Sequence, residues 1–243
     1  MISKTIYATV LLSSLSVGVA EASVSFTSQS AIGFEAIGLN PVVNATGSFA
    51  PGIGSVYAQD NEGNPLDASH YSITASNPAV ALNQGDIHNF LVSGNADTGS
   101  VESHQAGSYE FTFANTGAIS TSVQMRLNFS FLTTALGEFS DSDFKLDFWQ
   151  PGAEANSQTS LGFVTSSNGF LLAEAYATGV QVIEDQSGFL YSFDLAGAGS
   201  QSVYADLTVV NNLQPVPLPA AIWFFVSGIG GLLGLSKRSK AVA

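Results

Sequence analysis

The stretch VQMRLNFSFL, Val123 to Leu132, alternates without a break. Val123, Met125, Leu127, Phe129 and Phe131 share one parity; Gln124, Arg126, Asn128 and Ser130 share the other. A period of two puts successive side chains on opposite faces of a strand, so this stretch predicts a central strand with Leu127 and Phe129 facing the core. SYEFTF repeats the pattern with Tyr109, Phe111 and Phe113, and FKLDF with Phe144, Leu146 and Phe148 against Lys145 and Asp147. LYSFDL and VYADLTVV extend it from Leu190 to Val210. Weaker strands are expected near Val24–Phe26, Tyr71–Ala75, Ile87–Val92, Leu161–Val164 and Phe170–Tyr176. Gly-, Asn- and Ser-rich turns such as NQGD, ANTGA, SSNG and AGAGS separate these runs. Asn83 to Ser108 is polar and lacks a clear period, which predicts a long loop. Charged residues are only 10% of the chain, too few to furnish the solvent faces of many helices. The expectation is an all-β fold of ten or more short strands: an antiparallel β-sandwich or jelly roll.

The two ends differ from the middle. MISKTIYATVLLSSLSVGVAEA has a basic start at Lys4, an apolar stretch, and an Ala20-Glu21-Ala22 exit, the three parts of a secretory signal. Residues 1–22 are therefore expected to be a signal peptide, cut by signal peptidase before Ser23. With no Cys in the chain, the exported domain, 23–214, is held by its core without disulfides. At the other end, Ala220 to Leu235 carries no charge. As a helix it would span about 24 Å, slightly less than the ~30 Å hydrocarbon core. Pro219 suits the first helical turn, and Trp223 suits the interface. Lys237, Arg238 and Lys240 follow, and positive charge stays on the cytoplasmic side. A helix in 215–243 would thus anchor the chain in the inner membrane, domain outside and C-terminus in the cytoplasm.

The order of these parts, VPLPA at Val216, Pro217, Leu218, Pro219 and Ala220, then an apolar helix with glycines near its end, then a basic cluster, resembles the PEP-CTERM class of bacterial sorting signals in its VPLPA form. The resemblance implies recognition and removal of the tail by an exosortase, a membrane-embedded cysteine protease. It further implies release or transfer to the surface of a Gram-negative cell that makes exopolysaccharide. Leu218 stands where the commonest pattern has Glu. The resemblance carries routing and covers only the tail.

Charge is partitioned along the chain. Of six basic residues, only Arg126 and Lys145 lie between the two ends, whereas of 19 acids only Glu21 lies outside that middle part. Such a domain repels nucleic acid. No H-E-x-x-H or G-x-S-x-G motif occurs, and His70, His88 and His104 are widely spaced, so no catalytic residue is assigned. Two acid-rich stretches are candidate calcium sites: DNEGNPLD, with Asp60, Glu62, Asn64 and Asp67, and DSDFKLD, with Asp141, Asp143 and Asp147. Calcium takes six to eight oxygens, often from alternating loop residues. The other reading is that Asp and Asn bond their own backbone in the turn.

Two function classes follow. One is a non-enzymatic surface or matrix protein associated with exopolysaccharide. The alternative is a carbohydrate-binding module or glycan-acting enzyme, for which Trp149 and Tyr176 are the aromatic candidates.

Overall fold

A computed structural model describes residues 23–37, 43–136, 140–167, 170–175, 180–183 and 188–215; within 133–142 and 166–183 it describes backbone alone. The expected signal peptide with Ala20 and Ala22, the VPLPA motif, the membrane helix, the basic tail and Tyr176 lie outside the described residues. Ser23, exposed, directly precedes the first strand.

Ser23–Pro215 forms a compact unit, and it is all-β. In chain order the strands are β1 Val24–Ile37, β2 Val43–Pro51, β3 Ser55–Gln59, β4 Tyr71–Ser76, β5 Val80–Asn83, β6 Ile87–Ala96, β7 Ser100–Asn115, β8 Thr121–Leu136, β9 Ser140–Pro151, β10 Gln158–Ser167, β11 Phe170–Ala175, β12 Val180–Ile183, β13 Gly188–Leu195 and β14 Ser200–Leu213. One sheet runs β12-β13-β8-β1-β6-β4, the other β11-β10-β9-β14-β7-β2-β5 with β3 also on β7. The pairs within both sheets are antiparallel. The arrangement is consistent with a β-sandwich.

The two sheets meet over one apolar core. Phe34 of β1 packs on Phe111 of β7 with ring centroids 4.9 Å apart, and Phe148 of β9 packs on Phe189 of β13 at 4.7 Å. Both are tilted or edge-on contacts, which aromatic quadrupoles favour. The parity of β8 is as expected: Val123, Met125, Leu127 and Phe129 are buried, while Gln124, Asn128 and Ser130 are exposed. β9 likewise buries Phe144, Leu146 and Phe148. In the larger sheet, β14 is bonded on both sides, to β7 over its whole length and to β9 from Tyr204 to Leu213.

Two expectations are overturned. Asn83 to Ser108 is not a long loop: the strand expected at Ile87–Val92 is present and runs on to Ala96 as β6, and half of β7 follows after a tight turn at Asp97–Gly99. Nor are the strands uniformly short, since β7 and β8 have 16 residues each, β1 and β14 have 14. Both differences have one cause. Several inward positions carry polar or small residues, so apolar alternation fades although the pleat continues. Ser28 and Ser30 of β1, His88 of β6 and Ser103 of β7 all face the interior. Ser28 Oγ donates to Asn211 Oδ1 at 2.8 Å, linking β1 to β14 across the layers. A buried hydroxyl needs such a partner to offset its desolvation.

Candidate functional site

On the larger sheet, the residues that alternate with the core face outward. β14 buries Val203, Ala205, Leu207 and Val209 and turns Tyr204, Asp206 and Thr208 out. β9 turns out Lys145, Asp147 and Trp149; β7 turns out Ser108, Glu110 and Thr112. Strand register then sets these residues side by side. Trp149 lies opposite Tyr204, Tyr204 opposite Glu110, and Asp206 opposite both Asp147 and Ser108.

The central feature is a stacked aromatic pair. The Trp149 and Tyr204 rings are 4.2 Å apart and 11° from parallel. Cross-strand aromatic neighbours stabilise a sheet by their contact. This pair is also held by polar bonds at both ends. Trp149 Nε1–H donates to Asp206 Oδ2 at 2.7 Å, and Ser108 Oγ donates to Asp206 Oδ1 at 2.7 Å. The Tyr204 hydroxyl donates to Glu110 Oε1 at 3.0 Å, and Ser202 Oγ donates to the same oxygen at 3.1 Å. Partial burial first, then the Glu110 carboxylate beside it, push the Tyr204 hydroxyl above its ordinary pKa, so it remains a donor. Both rings are thereby fixed in orientation.

One face of the indole is taken by Tyr204. On the other side, β10 presents Ser160, small and exposed, in register with Trp149. The register shifts directly after it, between Ser160 and Gly162. A bulge at that point buries Leu161 and leaves Ser160 outward beside the ring. Bulges commonly re-aim side chains next to functional sites. The result is a braced, partly exposed aromatic pair set among carboxylates and hydroxyls on the outward face of the larger sheet.

Of the expected aromatic candidates, Trp149 is in this platform. Tyr204, Asp206 and Glu110 were not singled out in the sequence. Their signal is an aromatic or acidic residue at the outward parity of an alternating strand, but the register that unites them is not written in any one segment.

The candidate calcium residues are placed otherwise. Asp60 Oδ1 accepts from the backbone N–H groups of Glu62 and Asn64 at 2.9 and 2.8 Å, and its carboxylate also accepts from the Asn64 amide. Gly63, at φ 86°, closes that turn in the left-handed region that favours glycine. Asp67 caps the 3-10 turn Ala68–His70 by accepting from Ser69 N–H at 2.8 Å. These bonds, from Asn64 and from Ser69, hold both carboxyls below the usual aspartate range. Asp143 is exposed on β9 opposite Val210, and the Asp141 side chain lies outside the described residues. Among the described residues, no group of three or more His, Asp or Glu is arranged to hold a metal.

The histidines do not converge. His70 Nδ1 lies 3.0 Å from Asp97 Oδ1, His88 is buried against Tyr109, and His104 pairs with Glu102. No family model matches the chain, and no curated protein matches it.

Proposed function

We propose that this is an exported, non-enzymatic protein of the cell surface or extracellular matrix that contacts polysaccharide through the outer face of its larger sheet. The observation that carries this reading is the Trp149–Tyr204 stack, partly exposed and braced by Asp206 and Glu110 on a hydroxyl-rich sheet face. A pyranose ring has an apolar C–H face and a polar rim. The first packs on an aromatic plane, and the second bonds to carboxylates and hydroxyls around it. Routing rests on the two ends of the chain. In this reading, a β-sandwich lies between a signal peptide, 1–22, and a sorting tail, 215–243. An exosortase-type protease removes the tail after transient anchoring in the inner membrane.

Glu110 and Asp206 also admit a hydrolytic reading. They are diagonal neighbours across β7 and β14, a backbone spacing of about 7–8 Å, and paired carboxylates on one face are what glycosidases use. One assay separates the two readings. Immobilised surface polysaccharide of the host should retain the protein, Trp149→Ala should abolish retention, and no new reducing ends should form. Release of sugar would replace binding by hydrolysis. Retention unchanged in Trp149→Ala would remove the platform from the proposal.

A further inference from the structure

Resting on that glycan reading, we infer that the platform selects uncharged polysaccharide and excludes chains bearing carboxylate, sulfate or phosphate groups. The rings are flanked by anions on two sides. Glu110 stands directly across β7 from Tyr204, Asp206 stands two residues along β14, and Asp147 lies opposite Asp206. Lys145 shares this face, but its ammonium lies 2.8 Å from Asp147 Oδ2. Arg126 is on β8 of the other sheet, 3.7 Å from Glu35. His104, further along β7, is bonded to Glu102. No cationic group among the described residues therefore stands beside the rings to pair with an anionic sugar.

The donors nearest the two carboxylates that brace the rings are engaged with them. Ser202 and Tyr204 donate to Glu110; Ser108 and Trp149 donate to Asp206. What Glu110 and Asp206 themselves offer a ligand is acceptor capacity, since each ionised carboxylate has about four lone-pair sites. A neutral hexose supplies the matching donors through its hydroxyls. A uronate or sulfated sugar brings a negative charge within a Debye length, about 8 Å at 0.15 M salt, of Glu110 and Asp206, the two carboxylates that no cation neutralises. The discrimination is thus built from repulsion as well as fit.

Full-length protein in mild detergent would be titrated by affinity electrophoresis at 0.15 M salt. The probes are hydroxyethylcellulose and dextran, each with its carboxymethyl counterpart. The expected result is retardation by at least one neutral polymer and at least tenfold weaker retardation by its carboxymethyl form. That gap should narrow at 1 M sodium chloride, where the Debye length is about 3 Å, and in Glu110→Gln. Equal or tighter binding of the carboxymethyl form overturns the selectivity and leaves the platform standing. Binding of no polymer, or binding indifferent to both Trp149→Ala and Trp149→Tyr, overturns the platform and the selectivity together.

Discussion

His88 Nδ1 lies 2.8 Å from the Tyr109 hydroxyl in the middle of the apolar core, with the imidazole stacked on Phe49 at 4.2 Å. Burial pushes the histidine below its ordinary pKa, and the smaller pull of the Pro78 backbone goes the other way. The unfolded chain, near pKa 6.5, then takes up its proton first as pH falls. Stability should be full above about pH 7.5 and decline as pH drops through ~6.5, because the unfolded state binds the extra proton. Urea midpoints at pH 8 and pH 5.5 should differ in the wild type and converge in His88→Phe. The carboxyls of Asp60 and Asp67 act only in a lower window, below ~3.9. A flat profile in the wild type would show that the ring protonates freely in the folded state.

Phe129→Ala should cost about 3–5 kcal/mol. The ring is 4% exposed and packs against Phe131 and Phe189. Asn128→Ala, one residue earlier and outward, should cost far less. Chemical denaturation of both variants checks the parity of β8, since a slip of one residue would invert it.

Gly107→Ala tests the seam between β7 and β2. A Cβ at Gly107 would run into the Phe49 ring. Overpacking of this kind costs roughly 1–3 kcal/mol. Because Phe49 also stacks on His88, the variant should show a weaker pH dependence as well as a lower urea midpoint.

The Asp60 turn separates cation binding from local bonding. If its carboxylate serves the backbone alone, Asp60→Ala should lower the melting temperature equally with and without millimolar calcium. Equal small shifts from calcium, magnesium and matched sodium chloride would accompany that result as plain screening. A rise of the wild-type melting temperature specific to calcium, lost in Asp60→Asn, would instead place a cation at the turn.

Routing is tested by intact mass. Mature protein from its native host should begin at Ser23 and lack the Ala220–Ala243 segment. Recovery of a chain ending at Ala243 would refute removal of the tail, and deletion of Pro217 to Ala243 should abolish any membrane-bound phase.

The strands legible in the sequence are those whose inward positions are apolar throughout, such as β8 with Val123 to Phe129 and β9 with Phe144 to Phe148. β1 beyond Phe26 and the first half of β7 are hidden in the sequence because Ser28, Ser30, Ser103 and Gly107 occupy inward positions. Their burial depends on partners such as Asn211, 183 positions from Ser28. The candidate site was legible only as Trp149. Its brace Asp206 lies 57 positions away, and only the pairing of β9 with β14 brings them together. Local patterns report parity; they do not report which strand becomes a neighbour.

The double bonding of β14 has a mechanical consequence. A pull on the chain beyond Leu213 acts along this strand. The ladders to β7 and β9 run at right angles to that direction, so their bonds share the load together in shear. An edge strand peeled from its end would lose them one at a time. If the domain hangs from a tether at Pro215 in flowing water, the load enters through a strand bonded along both edges, which resists as a whole.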